Sequence, residues 1–282
     1  MARSPLYTQS VRSFAGVILF LTACCLLPAQ SSSKRSAAAA KKAAVPEPPP
    51  PSPPPTALEK RPEVAGTERL TYEIEWRLIH AGSAIIETQK AAATLKLDSA
   101  GMVSTLFKVH DLYAVNYDDG FCASSASMDS QEGKRHHDTK ITYDRVENRA
   151  AYLERDLIKN TVLHSDTVQI PACVHEVIGA FLKLRRMNPV PGQTVQIPMS
   201  DGRRSSTVKI EAQEREDIKT SLGAFKTVRV EANMMNGVVY TRKGRVFVWL
   251  TDDERHLPVQ IRLRMSFPVG SVTLQLEKEE RF

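Results

Sequence analysis

The sequence predicts a mainly β fold: a single antiparallel, strongly curved sheet or partly open barrel, with one amphipathic helix at about 173–186. Three observations predict it. Apolar and polar residues alternate with period two in "STLFKVH" (104–110), "TVQIPM" (194–199), "TVKIEA" (207–212), "KTVRVEA" (226–232), "RVFVWL" (245–250), "PVQIRLRM" (258–265) and "SVTLQLE" (271–277). That is the pattern of strands with one buried face. Turn signals fall between these runs: "DDG" at 118–120, "SDGRR" at 200–204, "SLGAF" at 221–225, "NG" at 236–237 and "DDE" at 252–254. Closely spaced strands with short turns build a meander rather than βαβ units. One stretch departs from period two: "CVHEVIGAFLKLRR" (173–186) sets Val174, Val177, Ile178, Phe181 and Leu182 at helical spacing, with Pro171 before it and basic residues at its end.

Residues 1–31 contain no acid, carry Arg3 and Arg12, and include the apolar run "FAGVILFLTACCLL" (14–27) followed by small or polar residues. This is the pattern of a secretory signal peptide. The run is short of the roughly 20 residues a membrane-spanning helix needs. Two processing routes stay open. "LTAC" (21–24) reads as a lipobox that would place a lipid on Cys24, and Ala29 with Ser31 suits an ordinary cut after residue 31.

Residues 32–62 have no apolar periodicity and include "PEPPPPSPPP" (46–55), eight prolines in ten residues. Proline fixes φ and lacks an N–H, so this stretch is expected to be a polyproline II tether of roughly 30 Å at about 3.1 Å per residue. The formal charge of +6 comes from the same part of the chain. Arg3 and Arg12 leave with the leader, and Lys34, Arg35, Lys41, Lys42, Lys60 and Arg61 outweigh Glu47 and Glu59 in the tether. The remaining 63–282, expected to be one β-rich domain, is neutral and has no electrostatic footprint for nucleic acid. A membrane is expected to matter only through a lipid anchor.

The domain opens with "RLTYEIEWRLIHAGSA" (69–84), which in an extended chain puts Leu70, Tyr72, Ile74, Trp76 and Leu78 on one face. That face is either an ordinary packed core or the lining of an apolar binding site. In the second case Tyr72, Ile74 and Trp76 would face Phe181 and Leu182 of the helix.

Cys122 and Cys173 are the cysteines of this domain. In an oxidising envelope the pair reads first as a disulfide, with two buried thiols or one reactive thiol as the alternatives. No G-x-S-x-G, G-x-x-x-x-G-K, G-x-G-x-x-G or C-x-x-C motif occurs. "HEVIG" (175–179) puts Gly179 where a zinc-protease helix needs its second histidine, so His175 and Glu176 are expected on the helix's outer face. In "KRHHD" (134–138) adjacent His136 and His137 point to opposite faces of a strand. His136 and Asp138 could share a face, with His110 or Asp111 approaching from another strand, but a polar surface is the simpler reading. Asp252, Asp253 and Glu254 read as turn residues rather than paired catalytic carboxylates. No catalytic residue, metal ligand or cofactor is assigned from these patterns.

Four ordered stretches carry a family resemblance: "LTYEIEWRLIHAGSAIIE", "VHEVIGAFLKLRRMNPVPGQTV", "EREDIKTSLGAFKTVRVEA" and "GRVFVWLTDDERHLPVQIRLRMSFPVGSVTLQLE". Together they resemble the bacterial domain of unknown function 3108 family of exported envelope proteins, over roughly 68–280. That resemblance implies the fold and an envelope location, in the periplasm or at the outer membrane, and supplies no activity. The strand with Trp249, the acidic turn and "LPVQI" are also similar to periplasmic lipoprotein carriers, whose curved sheet encloses an apolar cavity for acyl chains. The expectation is therefore a non-enzymatic binding or carrier module for lipid, lipoprotein or cell-wall polymer. The alternatives are an envelope-polymer hydrolase with an unrecognised site, or a structural assembly factor.

Overall fold

The computed structural model describes residues 66–233, 244–265 and 270–282. The expected signal segment 1–31 with its lipobox and Cys24, the tether 32–62 and the 236–237 turn lie outside the described residues. The described strands are β1 (Glu68–Trp76), β2 (Ile79–Thr88), β3 (Ala92–Ser99), β4 (Val109–Tyr117), β5 (Ala123–Glu132), β6 (Arg135–Asp144), β7 (Arg149–Asp156), β8 (Thr161–Gln169), β9 (Thr194–Ser200), β10 (Ser205–Thr220), β11 (Gly223–Asn233), β12 (Gly244–Thr251), β13 (Pro258–Met265) and β14 (Ser271–Arg281). Two helices interrupt them, α1 (Gly101–Leu106) and α2 (Val177–Arg186).

All fourteen strands form one antiparallel sheet, in the order β8-β7-β6-β5-β4-β3-β2-β1-β14-β13-β12-β11-β10-β9. Every strand pairs with its neighbours in sequence except that β8 and β9 do not pair with each other. The first and last strands meet in the middle, Tyr72 opposite Leu276. Consecutive strands β8 and β9 become the two edges. The sheet is therefore mainly β and curved, as expected, but does not close into a barrel. The connection carrying α2 occupies the open seam, where His175 forms an isolated bridge to Met199 of β9.

Period two is clearest in β4. In β4, Val109, Asp111, Tyr113, Val115 and Tyr117 are buried while the residues between them are not. Aspartates fold the turns by accepting backbone N–H groups. Asp144 takes those of Val146 and Glu147, and Asp156 takes those of Ile158 and Lys159. Asn148 and Asn160 then supply the positive φ that brings each strand back. Gly82 has φ +155, and a Cβ there would lie 2.0 Å from the Asp98 carbonyl oxygen, so this close approach of β2 and β3 requires glycine.

Two expectations need correction. Residues 104–106, read as strand, belong to α1, and β4 starts at Val109. Seven alternating residues also suit a short helix, and this one forms where the Ala100 N–H bonds the Ala81 carbonyl. The second helix starts at Val177 rather than 173. The stretch before it is held extended, because the Ala123 N–H bonds the Val174 carbonyl and the His175 backbone bonds both Pro198 and Ser200.

Three apolar clusters result. Tyr113, Tyr117, Ile141, Tyr143 and Tyr152 pack with Ile178 and Leu182 of α2 in the first. Ile197, Val208, Ile210, Val228, Val230, Val248 and Leu250 pack with Ala180 and Leu184 of α2 in the second. Leu70, Tyr72, Ile86, Trp249, Leu257 and Leu276 form the third, at the middle of the sheet. The helix stripe thus serves both halves, one side for each.

Candidate functional site

Among the described residues, β4–β8 bury Asp111, Glu132, Thr139, Glu154 and Asp156, and His175 and Glu176 are buried just before α2. Glu176 is 1% exposed and caps α2, its carboxylate accepting from the N–H groups of Ile178 and Gly179. The Tyr113 hydroxyl donates to the same carboxylate at 2.9 Å. Burial raises the Glu176 pKa despite these donors. Nearby, the tip of the β9–β10 hairpin reaches into the face of the first half-sheet. A Cβ on Gly202 would meet Ile141 at 2.6 Å, and the Tyr143 hydroxyl donates to the Ser200 carbonyl at 3.2 Å. Arg203 pairs with Asp166 at 2.8 Å and lies over the Tyr152 ring. Asp201 at that tip accepts from the N–H groups of Arg203 and Arg204, and burial raises its pKa as well.

His175 and Glu176 are therefore not on an outer helix face. Both precede the helix and are buried. A capping carboxylate must point at the first turn, and here that turn is packed against β4. Burial pushes His175 down to about 4, which leaves its imidazole neutral near pH 7.

Cys122 and Cys173 are joined in a disulfide with their Cα atoms 5.0 Å apart, tying the β4–β5 loop to the segment before α2. His175 Nδ1 lies 3.8 Å from the Cys173 sulfur.

The histidines sort onto two faces. On the outer one, His110 pairs with Asp98 and His136 with Asp129, while Asp138 sits 3.8 Å from Lys140. Asp111 points inward instead. It accepts the Gln131 N–H, and burial raises its pKa to about 6. His110, Asp111, His136 and Asp138 are thus not brought to one point. The inner face assembles a different group. Glu154, 2% exposed, lies 3.1 Å from His137 and 4.0 Å from His164 and accepts from the Tyr152 hydroxyl. Sequence reasoning missed Glu154, His164 and Asp201. The only trace of the first is its inward position between Tyr152 and Asp156 in an alternating strand, and which strand faces it is invisible locally.

The residues expected on an apolar face are spread through the core. Tyr72 is fully buried in the central cluster, its hydroxyl donating to the Pro258 carbonyl, and Ile74 packs against that cluster. Trp76 is half-buried near the end of β1, beneath the guanidinium of Arg77. Phe181 packs on the second cluster and Leu182 in the first. Asp253 of the acidic turn accepts from the Thr251 hydroxyl and the Arg255 N–H, and Asp252 pairs with Arg215.

At the margin of the sheet, β8 hydrogen-bonds β7 on one side and has no strand on the other among the described residues. Val162, Leu163 and nearby Ile158 are exposed there.

Comparison with known proteins gives a family and a fold. Residues 71–277 match the family described as protein of unknown function DUF3108. None of the curated proteins matches the chain. Among solved structures, the chain is similar to a β-barrel-like protein of domain of unknown function DUF1849 from Brucella abortus, with TM-score 0.52 and 8% identity, covering 77% of this chain and 98% of that one. A DUF1089 family protein from Pseudomonas aeruginosa gives TM-score 0.37 and 12% identity, over 65% of this chain and 90% of that one. A candidate exported protein with a YmcC-like fold from Bacteroides fragilis gives TM-score 0.29 and 8% identity, over 76% and 95%.

Proposed function

The chain belongs to the DUF3108 family of proteins of unknown function, and from that premise we propose that it is a non-enzymatic binding module of the bacterial envelope. Its partner is an extended polypeptide segment, such as that of a lipoprotein, which adds to the sheet as a strand along β8.

The single observation carrying this reading is the open edge of β8. Its nine residues, "TVLHSDTVQ", pair on one side only among the described residues and contain neither proline nor lysine, two of the residues that blunt an edge. Such an edge offers a row of backbone donors and acceptors to an extended chain, and exposed Val162 and Leu163 give that chain apolar contacts. The carrier version draws less support, because Leu70 and Tyr72 of the apolar face are buried against the chain's own Leu257, Val259 and Leu276. Work outside the cytoplasm is supported by the basic start, the apolar run at 14–27 and the disulfide between Cys122 and Cys173.

The test is amide hydrogen exchange on the chain isolated natively from cells and on the same chain refolded alone. Selective slowing of exchange within 161–169 in the native isolate is expected, and the Val162→Lys, Leu163→Lys double variant should abolish it. Equal exchange of β8 in both preparations, together with lipid or glycan that co-purifies regardless of these substitutions, would sink the edge reading.

A further inference from the structure

We propose that Cys122, Cys173 and His175 form a redox-gated zinc site: closed while the disulfide is intact, and able to bind one thiophilic cation once a dithiol has reduced it.

The sulfur atoms of both cysteines and a ring nitrogen of His175 all lie within 4.8 Å of one another. A tetrahedral zinc with Zn–S about 2.3 Å and Zn–N about 2.0 Å needs sulfur–sulfur edges of about 3.8 Å and sulfur–nitrogen edges of about 3.5 Å. The Cys173 sulfur and His175 Nδ1, at 3.8 Å, already stand close to that spacing. Breaking the S–S bond leaves the two sulfurs only the remaining separation to gain.

The backbone keeps these residues together without the disulfide. His175 is clamped to β9, its N–H donating to the Pro198 carbonyl and its own carbonyl accepting from Ser200. The Cys122 N–H donates to the Asp118 carboxylate, its carbonyl accepts from the Asp118 N–H, and the next residue, Ala123, donates to the Val174 carbonyl. Reduction removes one covalent link and leaves this frame in place. Two thiolates and an imidazole form a borderline-soft donor set, which suits zinc better than magnesium or calcium.

The chemistry balances. One thiolate of the dithiol attacks the sulfur of Cys173, the less buried of the two cysteines; the S–S bond breaks and Cys122 leaves as a thiolate. The dithiol's second thiol then displaces Cys173 and closes the reductant's own disulfide. Two electrons pass to the protein, and two protons end on Cys122 and Cys173. Zinc displaces those two protons, takes His175 as its third ligand and leaves the fourth position to solvent.

The experiment uses the full chain, oxidised and dithiol-reduced, equilibrated with Zn2+ and then freed of loose metal. Reduced protein is expected to retain one zinc per chain and oxidised protein none. Cobalt substitution should give a thiolate-to-metal charge-transfer band that falls when Cys122→Ser or Cys173→Ser is introduced. His175→Ala should weaken zinc at least about tenfold, since losing a ligand costs no less than losing an outer-shell partner, and its oxidised form reports separately what loss of the buried ring costs in melting. If reduction loosens the fold, zinc should restore melting towards that of the oxidised chain. Zinc without effect on the reduced chain, equal affinity in His175→Ala, or binding that survives loss of both cysteines would each overturn the proposal.

Discussion

On the concave face of β4–β8 the buried side chains include Tyr113, Tyr117, Tyr143 and Tyr152, whereas β9–β12 cover the other side of α2 with Ile197, Val208, Ile210, Val228, Val230, Val248 and Leu250. The second cluster is built of aliphatic side chains, methionine and alanine, which bring no hydroxyl into it. Each tyrosine brings a hydroxyl that must find a partner when buried. Glu176, the Ser200 carbonyl, Glu154 and the carbonyls of Gln89 and Ala92 supply those partners. Glu176, Glu154 and the Ser200 carbonyl are thus the partners that buried tyrosine hydroxyls of the first half require. The same requirement recruits parts of other elements, the cap of α2 and the β9–β10 tip, into its interior. The difference teaches that the two halves are held by different physics although they share one sheet and one helix.

The largest test removes what only the first half has. Cys173→Ala frees a 51-residue separation and should cost about 4 kcal/mol in the chain-entropy account. Chemical denaturation under non-reducing conditions measures it, and a loss below about 1 kcal/mol would show that the disulfide does little to secure the helix. In the aliphatic cluster, Leu250→Ala should cost about 3 kcal/mol, because it opens a cavity that aliphatic neighbours fill poorly.

The titrating groups sharpen the contrast further. Asp111, raised from 3.8 to about 6, holds its proton more tightly folded than unfolded. Its contribution is fully present below pH 3.8 and is lost as pH rises through about 6. His175, lowered from 6.5 to about 4, runs the other way: its contribution is present above pH 6.5 and is lost as pH falls through about 4. Asp111→Asn, which keeps an oxygen for the Gln131 N–H, should stabilise by about 2 kcal/mol at pH 7. It should also expose the histidine's slope, so that the variant loses stability on acidification from 6.5 to 4 more steeply than the parent. Parallel stability–pH curves would contradict this. The smallest effect is expected from Tyr143→Phe, about 1 kcal/mol for one hydroxyl donating to the Ser200 carbonyl. A much larger loss would mean that this bond, rather than the packing of the Gly202 tip on Ile141, holds the hairpin in place.

Local pattern sufficed for much of the architecture. Alternation located β9 to β14, aspartate and glycine located the turns at 118–120, 200–204, 221–225 and 252–254, and one apolar stripe located α2, because strand and helix periods are written within a few consecutive residues. Two cysteines in the domain pointed to the bridge that the structure contains. The inward face of β1 was readable as well, since Leu70, Tyr72 and Ile74 alternate with charged or hydroxyl neighbours. What lay opposite that face was not. Only the tertiary structure decided that β1 meets β14, that β8 and β9 become the margins, and that the 200–204 turn enters the other half-sheet. It alone decided that His175 and Glu176, which read as outer-face polar residues, are buried. The physical reason is range. A side chain's direction follows from its own backbone, but its burial, its partner and its charge state depend on groups tens to hundreds of residues away.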